Sequence, residues 1–521
     1  MDFMKNNIEN IPSEKFTFAN NAENLHDKKL QTKQMSYFQD VFHRFAKNKS
    51  SVVAAIIICI LILFAIVGPI LANDVYVDAY QTDTMLVNYK YMKPRISALA
   101  GTGIWDGSEV IEVSQYRYDM LRGMEIEIGY PIIQEVIDSW TTPAIDVFSK
   151  PSTLYKIRID TYTALDTFTQ TLTYDQYKAL QDWQDENGIQ VILPRVESNI
   201  AVGGVNSIWY KTDKKGNAQL DKEGNLVPSY YTTGKDDYTS SMRLEGDPWT
   251  EENPDAGWRY AQRTGSAEKG YNYVVRVSAY NFFIYRFGSE PEFLFGTDDR
   301  GFDIFHRLSS GARFSFLLAI SVSVINLFIG AIYGAIQGYY GGYIDMFMDR
   351  ISDILGGIPF TVVAVLFSLH LSSKIGVVPS LLFAFVFTGW LGMAARVRMQ
   401  FYRFKNQEYV LAARTLGAGD LRIMFKHIFP NSLGTIITGS ILVIPGVIFS
   451  ETSLSYLNII SLDSASLTSI GTMLSKGQAC MTSEPHVVLF PALFIALLMI
   501  SFNLFGNGLR DAFNPSTRGV E

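Results

Sequence analysis

The sequence has few of the residues and motifs on which most enzymes and metalloproteins depend. Its 521 residues include only two cysteines, Cys59 and Cys480, which lie far apart, so we expect neither a structural disulfide nor a Cys-x-x-Cys site. The six histidines have no ligand partner at helical spacing, and we therefore predict no metal site and no cofactor. No G-x-x-x-x-G-K-S/T motif is present, so the chain is not expected to hydrolyse ATP by itself.

Clustered positive charge of the kind that binds nucleic acid is also missing. The net charge is −7, and no basic patch with interleaved aromatic residues occurs, which argues against nucleic acid as a partner. The G-x-S-x-G and H-E-x-x-H motifs of common hydrolases are absent. These absences favour a protein that binds or transports. An ectoenzyme in the polar central region stays open, because catalytic pairs of carboxylates cannot be recognised without geometry.

What the sequence does contain is a set of long apolar runs. Residues 51–72 carry no charge over 22 positions, and a helix of that length spans about 33 Å, enough to cross the hydrocarbon core. A signal peptide is the alternative, but its apolar region would be shorter, and the preceding polar tail is long for one. Five more runs predict an α-helical polytopic membrane protein with six transmembrane helices. They lie at 313–338, 352–372, 377–396, 433–455 and 486–507.

The polar regions around these runs suggest the domain organisation. We predict a cytoplasmic tail, a large extracellular α+β domain between the first two spans, a five-helix transmembrane core with a cytoplasmic basic loop, and a second cytoplasmic tail. Their ranges are 1–50, 73–312, 313–507 with the loop at 397–431, and 508–521.

Local patterns inside residues 73–312 predict both strands and helices. Apolar and charged side chains alternate over 155–160, which is typical of a half-buried strand. Thr173 and Gln176 form a capping-box pattern ahead of a helix, and 189–193 favours another strand. Two similar segments at 213–228 each contain a Gly-Asn turn, which predicts a hairpin-rich tip. A calcium loop there would need acidic ligands where the sequence mostly has lysine.

A basic amphipathic segment, residues 408–431, lies between the fourth and fifth spans. Gly417 is expected to enter the left-handed conformation that ends a helix. Asp420 is the expected N-cap of a second short helix, which Pro430 is expected to end. The segment is therefore predicted to form two short helices joined by a glycine turn, and periodicity alone favours an ordinary interfacial hairpin. The first helix has one apolar face, formed by Tyr409, Ala412, Ala413 and Leu416.

The distribution of charge predicts the orientation in the membrane. Only Glu408 and Asp420 oppose seven cations between residues 396 and 431, whereas the loops after the third and fifth spans hold one lysine each. The positive-inside rule then places this segment and both termini in the cytoplasm, and residues 73–312 outside. The seven cations are Arg396, Arg398, Arg403, Lys405, Arg414, Arg422 and Lys426.

Two features inside the predicted spans have a structural and a functional interpretation. Gly330, Gly334 and Gly338 form a doubled small-xxx-small pattern, which lets a neighbouring helix approach closely, and helix packing is the interpretation we adopt. Glu451 is an acid near the end of the fifth span. It either sits at the outer interface, where it is hydrated or caps a local turn, or it lines the outer mouth of a pathway, because ionisable groups at membrane depth are often functional.

Several of these stretches together resemble permease subunits of ABC importers. Residues 408–431 resemble the EAA loop, the coupling element that docks on the ATPase subunit, with Leu411 in place of the motif's Glu and His427 in place of its Ile. Residues 294–303, LFGTDDRGFD, resemble a stretch that oligopeptide-type permeases carry before their second helix, with Phe302 in place of Arg. The tail 503–515 is similar as well. The EAA positions that match are Ala412, Ala413, Gly417, Phe429 and Pro430.

The resemblance is to the C-type permease of oligopeptide or dipeptide importers, and it implies a set of partners and a mechanism. The expected partners are a B-type permease in a heterodimer, two ATPase subunits, an extracellular substrate-binding lipoprotein, a peptide substrate and membrane lipid. The implied mechanism is alternating access in a bacterial plasma membrane. The residues expected to contact the ATPase are Glu408, Ala412, Ala413, Arg414, Gly417, Asp420, His427 and Pro430. A membrane-anchored receptor or structural protein with an external sensor domain and no ATPase partner is the alternative.

Overall fold

A computed structural model of the chain describes most of the apolar regions and much of the polar region between them. The described residues are 37–71, 88–99, 101–143, 151–165, 167–193, 219–224, 226–227, 261–266, 270–460, 462–463 and 467–513. The helices are α1 (Tyr37–Lys47), α2 (Lys49–Leu71), α3 (Gln115–Ile128), α4 (Tyr174–Asn187), α5 (Ala279–Phe287), α6 (Ile304–Tyr340), α7 (Gly342–Gly356), α8 (Phe360–Ile375), α9 (Val377–Gly389), α10 (Leu391–Phe404), α11 (Glu408–Thr415), α12 (Asp420–Arg422), α13 (Phe429–Ile441), α14 (Val443–Tyr456), α15 (Ile470–Gln478) and α16 (Pro485–Phe513). The strands are β1 (Ser108–Ser114), β2 (Ile133–Thr142), β3 (Ser152–Asp160), β4 (Thr167–Thr173), β5 (Ile192–Leu193), β6 (Ala261–Ser266) and β7 (Gly270–Ser278).

The described residues contain five stretches long and apolar enough to cross a membrane, and a bent pair that makes a sixth candidate. The polytopic helical class predicted from the sequence is thus confirmed, with five or six spans. The five are Lys49–Leu71, Ile304–Tyr340, Val377–Phe404, Asp420–Tyr456 and Pro485–Phe513.

The sixth candidate departs from the prediction of a straight span at 352–372. Helices α7 and α8 meet at an angle of 71° across a short break. Pro359 is the N-cap of α8, where a residue without a backbone N–H can start a helix but cannot continue α7. The predicted span therefore runs across a break.

Helix α6 begins at Ile304, earlier than the predicted 313, and its 37 residues extend over about 55 Å. Hydropathy does not predict that the helix begins so early, because His306, Arg307 and Arg313 interrupt the apolar pattern. The side chain of Asp303 accepts a hydrogen bond from the backbone N–H of Phe305 and so caps the new first turn. We call the N-terminal end of α6 the domain end and its C-terminal end the hairpin end.

The polar region folds into two antiparallel sheets with helices packed on them. One sheet has the order β1-β3-β2, and the other has β4-β7-β5 with β6 also paired to β7. The predicted strand at 155–160 is confirmed as part of β3, in which Ile157 is fully buried. The predicted capping box of Thr173 and Gln176 is confirmed at the start of α4. Most of the predicted tip at 213–228 lies outside the described residues.

The polar region is attached firmly to the domain end of α6. Residues 89–95 run alongside residues 293–298, and the backbone N–H of Tyr91 donates to the carbonyl of Asp298 at 3.1 Å. The hydroxyl of Thr297 accepts from the backbone of Met92 at 2.8 Å and donates to the carbonyl of Tyr89. A side-chain contact joins the polar region to the start of α16, since Lys93 Nζ lies 2.7 Å from Glu484 Oε2.

The small residues of α6 lie where its helix meets α10. A Cβ added at Gly330 would lie 2.7 Å from the Cβ of Met393, and one added at Gly338 would lie 2.7 Å from the carbonyl oxygen of Arg398. A Cβ at Gly334 would collide with the carbonyl of Ala394. The glycines therefore allow the two backbones to approach closely, as the small-xxx-small pattern predicts.

The C-terminal boundary differs from the prediction too. Helix α16 continues to Phe513, so residues 508–513 are helical and the predicted tail at 508–521 begins inside the helix.

Candidate functional site

The segment 408–431, which we call the hairpin, is held against the rest of the chain by its buried side chains. Val410, Ile423 and Ile428 are fully buried, and Met424 nearly so, in a cluster with residues of α6 and α10. Helix α11 covers Glu408 to Thr415, which matches the first predicted short helix. The anchoring residue of α11 is Val410, which lies off the predicted apolar face.

Gly417 makes the turn between the two parts of the hairpin. It follows Leu416, the C-cap of α11, and its φ is +83°. Its backbone N–H donates to the carbonyl of Arg414 at 3.0 Å. The left-handed conformation predicted for Gly417 is confirmed, and a side chain there would be strained.

Asp420 does not have the role predicted for it. The N-cap of α12 is Gly419, and Asp420 is the first residue of that helix, with no capping hydrogen bond from its side chain. Its carboxylate accepts a hydrogen bond from the hydroxyl of Tyr339, 2.6 Å away, at the hairpin end of α6. A partner 81 residues distant in sequence therefore replaces the local cap.

Pro430 does not end the second helix of the hairpin. Residues Ile423–Ile428 form a π-helical turn, and Pro430 lies in the first turn of α13, which follows without a break. The wider turn shifts the hydrogen-bonding register at the position where proline lacks its N–H. The hairpin's second part is consequently the beginning of the long stretch Asp420–Tyr456.

The outward surface of the hairpin is apolar and basic. Leu416 is 88% exposed, and Leu421 is 69% exposed. Tyr409, Ala412 and Leu416 of the predicted apolar face are exposed, and Ala413 is half-buried. His427 is half-buried, whereas Glu408 and Pro430 are exposed. The exposed cations of this surface are Arg414, Arg422 and Lys426.

A small polar network joins the hairpin to α6. Arg414 Nη2 donates to the hydroxyl of Tyr339 at 3.4 Å, and that hydroxyl donates in turn to Asp420. Lys405 Nζ donates to the carbonyl of Gly338 at 3.0 Å. On the neighbouring helix, Arg398 forms ion pairs of 2.7 Å with both Asp345 and Asp349 of α7. Polar bonds therefore connect the hairpin to α6, and α10 to α7.

Glu451 is buried rather than hydrated. It is 1% exposed, on α14 between α6 and α15. Ser315, 136 residues away, donates to its Oε2 at 2.9 Å, and Ser455, one turn further along α14, donates to its Oε1 at 3.0 Å. These hydroxyls let the carboxylate be buried, so the predicted hydrated setting is wrong, and a place for Glu451 at the mouth of a pathway stays a prediction.

Two cavities lie along the same helix pair, and we call them together the groove. The first, of about 340 Å³, lies between α6, α8, α9 and α14 and includes the buried amide of Asn326, which has no hydrogen-bond partner among the described residues. The second, of about 360 Å³, lies nearer the hairpin end between α10, α13 and α16. One face of α13 and α14, at helical spacing, lines both; its residues are Thr435, Gly439, Leu442, Gly446 and Ser450. No sequence pattern predicted the groove.

At the domain end, Asp463 is surrounded by cations. Its carboxylate lies 2.7 Å from Lys476 Nζ, 2.8 Å from Arg300 Nη2 and 3.3 Å from Arg307 Nη2. Burial acts to raise the pKa of Asp463, but the hydrogen bond and charge of Lys476 and the two arginines hold that pKa below its usual range. We call Asp463 and these three cations the Asp463 cluster.

The motif LFGTDDRGFD supplies part of this cluster. Arg307 Nε lies 3.5 Å from Asp298 Oδ2. The guanidinium of Arg307 also stacks on the ring of Phe302, 4.6 Å from its centroid. Phe302 itself is buried, so the departure from the family's Arg provides an apolar platform for Arg307.

Two family models match the chain. Residues 326–519 match the binding-protein-dependent transport system inner membrane component family, and residues 36–94 match the N-terminal TM domain of oligopeptide transport permease C. Residues 95–325, which contain both sheets, are matched by neither model.

Characterised relatives share the membrane part. The chain is 44% identical over 224 residues to the oligopeptide transport system permease protein OppC of Bacillus subtilis, which covers 43% of this chain and 72% of that protein. It is 40% identical over 225 residues to the dipeptide transport system permease protein DppC of the same organism, with 43% and 69% covered. Among solved structures it resembles the inward-facing MetNI methionine ABC transporter at 12% identity, covering 39% of this chain and 95% of that one, with a TM-score of 0.30 that is too low for any conclusion.

These matches agree with the resemblance at the hairpin and at the domain end of α6. The chain belongs to the binding-protein-dependent transport inner membrane component family, as an OppC-type permease of an oligopeptide or dipeptide ABC importer.

Proposed function

We propose that this permease forms one half of a peptide pathway and receives the force of ATP hydrolysis through the hairpin. In this proposal two ATPase subunits bind the hairpin and the corresponding element of a second, B-type permease. An extracellular lipoprotein delivers the peptide. The family supplies the class of partners, and the geometry of the hairpin supports the contact site.

The observation that carries this proposal is the division of the hairpin into a buried and an exposed apolar side. Val410 and Ile423 anchor it to α6 and α10, while Leu416 and Leu421 point away from the chain. Exposed leucines rimmed by cations on a short rigid helix are typical of a protein-docking surface. Leu411, which stands in place of the motif's Glu, is also exposed at 45% and would add an apolar contact where the family has a charge.

The proposed orientation places the hairpin in the cytoplasm and the polar region outside the cell. Helix α6 starts beside the polar region and ends beside the hairpin, and its length of about 55 Å exceeds the hydrocarbon core of about 30 Å. The two regions therefore lie on opposite sides of a bilayer. The seven cations between residues 396 and 431 assign the hairpin to the inside.

For the polar region we propose docking of the substrate-binding lipoprotein or guidance of the peptide to the pathway. Strand β2 is an edge strand, and its Val136 and Ile137 are 46% and 42% exposed. An exposed apolar edge can accept a partner strand. The firm attachment through Thr297 and Lys93 would transmit docking to α6 and α16.

Gly417→Pro tests the coupling assignment. Proline requires a φ near −65°, whereas Gly417 has +83°, so the turn should be lost while the spans still insert. In a reconstituted importer with both permeases, the ATPases and the lipoprotein, peptide uptake and peptide-stimulated ATPase activity should both disappear.

Gly419→Pro is the matched control, because Gly419 has a φ of −68° that proline accepts. Uptake by the Gly417→Pro importer at the control's rate would refute coupling through the hairpin. A wild-type chain that copurifies with no ATPase subunit would instead favour the membrane-anchored receptor.

Deletion of residues 100–290 tests the proposal for the polar region. If assembly with the second permease and the ATPases persists, capture of the lipoprotein should fall. Unchanged lipoprotein binding and uptake would contradict the docking proposal and leave the coupling proposal standing.

A further inference from the structure

The cavity at the hairpin end of the groove has a strongly basic lining. Arg396, Arg403 and Arg510 all contribute to it, together with Gln400 and residues of α13, and no carboxylate lines it. Among the described residues none of the three arginines forms an ion pair. We call this cavity the arginine pocket.

The backbone of α13 is shaped to admit one of these arginines. Arg396 Nη1 donates to the carbonyl of Gly439 at 3.0 Å. A Cβ added at Gly439 would lie 2.9 Å from that same Nη1 and 3.3 Å from the Cδ of Arg396. Gly439 therefore makes room for the guanidinium group against the backbone of α13, while Arg396 as a whole stays exposed.

The unpaired charges favour an anion in the arginine pocket. All three arginines are exposed on the chain, and three like charges around one open cavity repel each other. The cavity of about 360 Å³ has the volume of about twelve water molecules at 30 Å³ each. An anion larger than a simple ion can therefore enter and neutralise the charges.

The pocket lies near the ends of two membrane-spanning helices, and helix ends are where a bilayer presents its phosphate groups. Arg403 is in the last turn of α10 and Arg510 in the last turn of α16, whose final residues are Phe404 and Phe513, and Arg396 lies about two turns before the end of α10. Helix α1 packs beside the same end of α16, with the rings of Phe45 and Phe505 5.3 Å apart, and it still exposes the ring of Phe42. A helix that exposes an aromatic ring and carries cations is typical of a membrane surface.

We propose that the arginine pocket binds the phosphodiester headgroup of an anionic phospholipid. Basic pockets between helices on the cytoplasmic side of a membrane recognise such headgroups. A passing peptide is a poorer fit, because cargo must leave and three guanidinium groups would retain an acidic peptide. A resident lipid carries no such requirement, and it would brace α10, α13 and α16 where they meet the hairpin.

The test uses the assembled importer in nanodiscs that contain a photoreactive phosphatidylglycerol or a photoreactive phosphatidylcholine. The segments of the permease that carry the label are mapped by mass spectrometry. Phosphatidylglycerol should label the segments around residues 396–403 and 505–513, and phosphatidylcholine should not. Each Arg→Gln change in the pocket should weaken the labelling about fivefold, the effect of one basic residue near an anionic surface.

Three variants separate charge from fold. Arg403→Gln should show labelling that is about fivefold weaker, and Arg403→Lys should keep most of it because the charge remains. Arg313→Gln removes an exposed arginine at the domain end of α6 and should change nothing. Equal labelling by both lipids, or labelling that survives loss of all three arginines, would overturn the proposal. Displacement by inorganic phosphate or by an acidic peptide at concentrations that leave the vesicle intact would also overturn it, in favour of a free-phosphate or cargo site.

Discussion

The two ends of α6 are built in opposite ways. At the domain end, Arg307 is 4% exposed and contacts Asp298, Asp463 and the ring of Phe302. At the hairpin end, the polar connection consists of one bond to Asp420, a longer one from Arg414 and a bond from Lys405 to a backbone carbonyl, and the apolar cluster around Val410 makes the rest of the contact. Packed apolar side chains can slide over one another without separating charges, so the hairpin end can move while the domain end stays fixed. The difference agrees with an anchored outer part and a hairpin that moves with its ATPase.

The largest expected effect comes from breaking the domain end with Arg307→Met. The change removes the cation that pairs with Asp298 and one of the three cations around Asp463, which keeps Lys476 and Arg300. Breaking a buried ion pair by removing one partner costs about 3–5 kcal/mol. Thermal unfolding of the purified chain in detergent should show a correspondingly lower Tm. The control is Arg350→Met, which removes an exposed pair with Asp353 worth about 0–1 kcal/mol. Equal Tm values for the two variants would contradict an anchored domain end.

Low pH should destabilise the domain end of α6. Because the pKa of Asp463 is held below its unfolded value, its ion pairs stabilise the fold above about pH 4 and are lost as the pH falls through the lowered pKa. Asp463→Asn should therefore be less stable than wild type at pH 7, and the difference should narrow below about pH 4. A difference in Tm that is constant from pH 7 to pH 3 would contradict this assignment.

Gly334→Val tests the middle of α6, where close packing on α10 is expected to keep the helix rigid between its two ends. The added side chain would collide with the carbonyl of Ala394, and overpacking of this kind costs about 1–3 kcal/mol. Gly392→Val makes the same change on α10 where no atom lies within 4 Å of the new Cβ, and it should be tolerated. A tolerated Gly334→Val would mean that α6 and α10 separate readily.

Tyr339→Phe tests the hairpin end and should have the smallest effect on stability. It removes the bond to Asp420, worth about 1 kcal/mol, and leaves the buried cluster around Val410 intact. ATPase activity should become less dependent on peptide, because the hairpin is no longer tied to α6. Tyr343→Phe, whose side chain is 87% exposed at the same end, should retain normal coupling. Normal coupling in both variants would show that the bond between Tyr339 and Asp420 has no role in coupling.

Sequence patterns predicted what depends on neighbouring residues. The left-handed turn at Gly417, the strand around Ile157 and the capping box at Thr173 each follow from conformational preferences over a few positions. The family was recognisable for the same reason, since its motifs are short and continuous.

Long-range partners explain what the sequence did not predict. Asp420 bonds to Tyr339 rather than capping its helix, and Glu451 is buried because Ser315, 136 residues away, donates to it. The π-helical turn before Pro430 depends on the packing of Ile423 and Ile428. The arginine pocket needs three helices to meet, so neither periodicity nor charge counting could reveal it.

The most direct test of the account is a photoreactive amino acid placed at Leu416, the hairpin side chain that is 88% exposed. In the assembled importer it should cross-link to an ATPase subunit, and the yield should change when ATP binds. Met399 on α10, which is 61% exposed, is the matched position outside the hairpin and should not cross-link to that subunit. Cross-links from Leu416 only to lipid or to the second permease, with none to an ATPase, would contradict coupling through the hairpin.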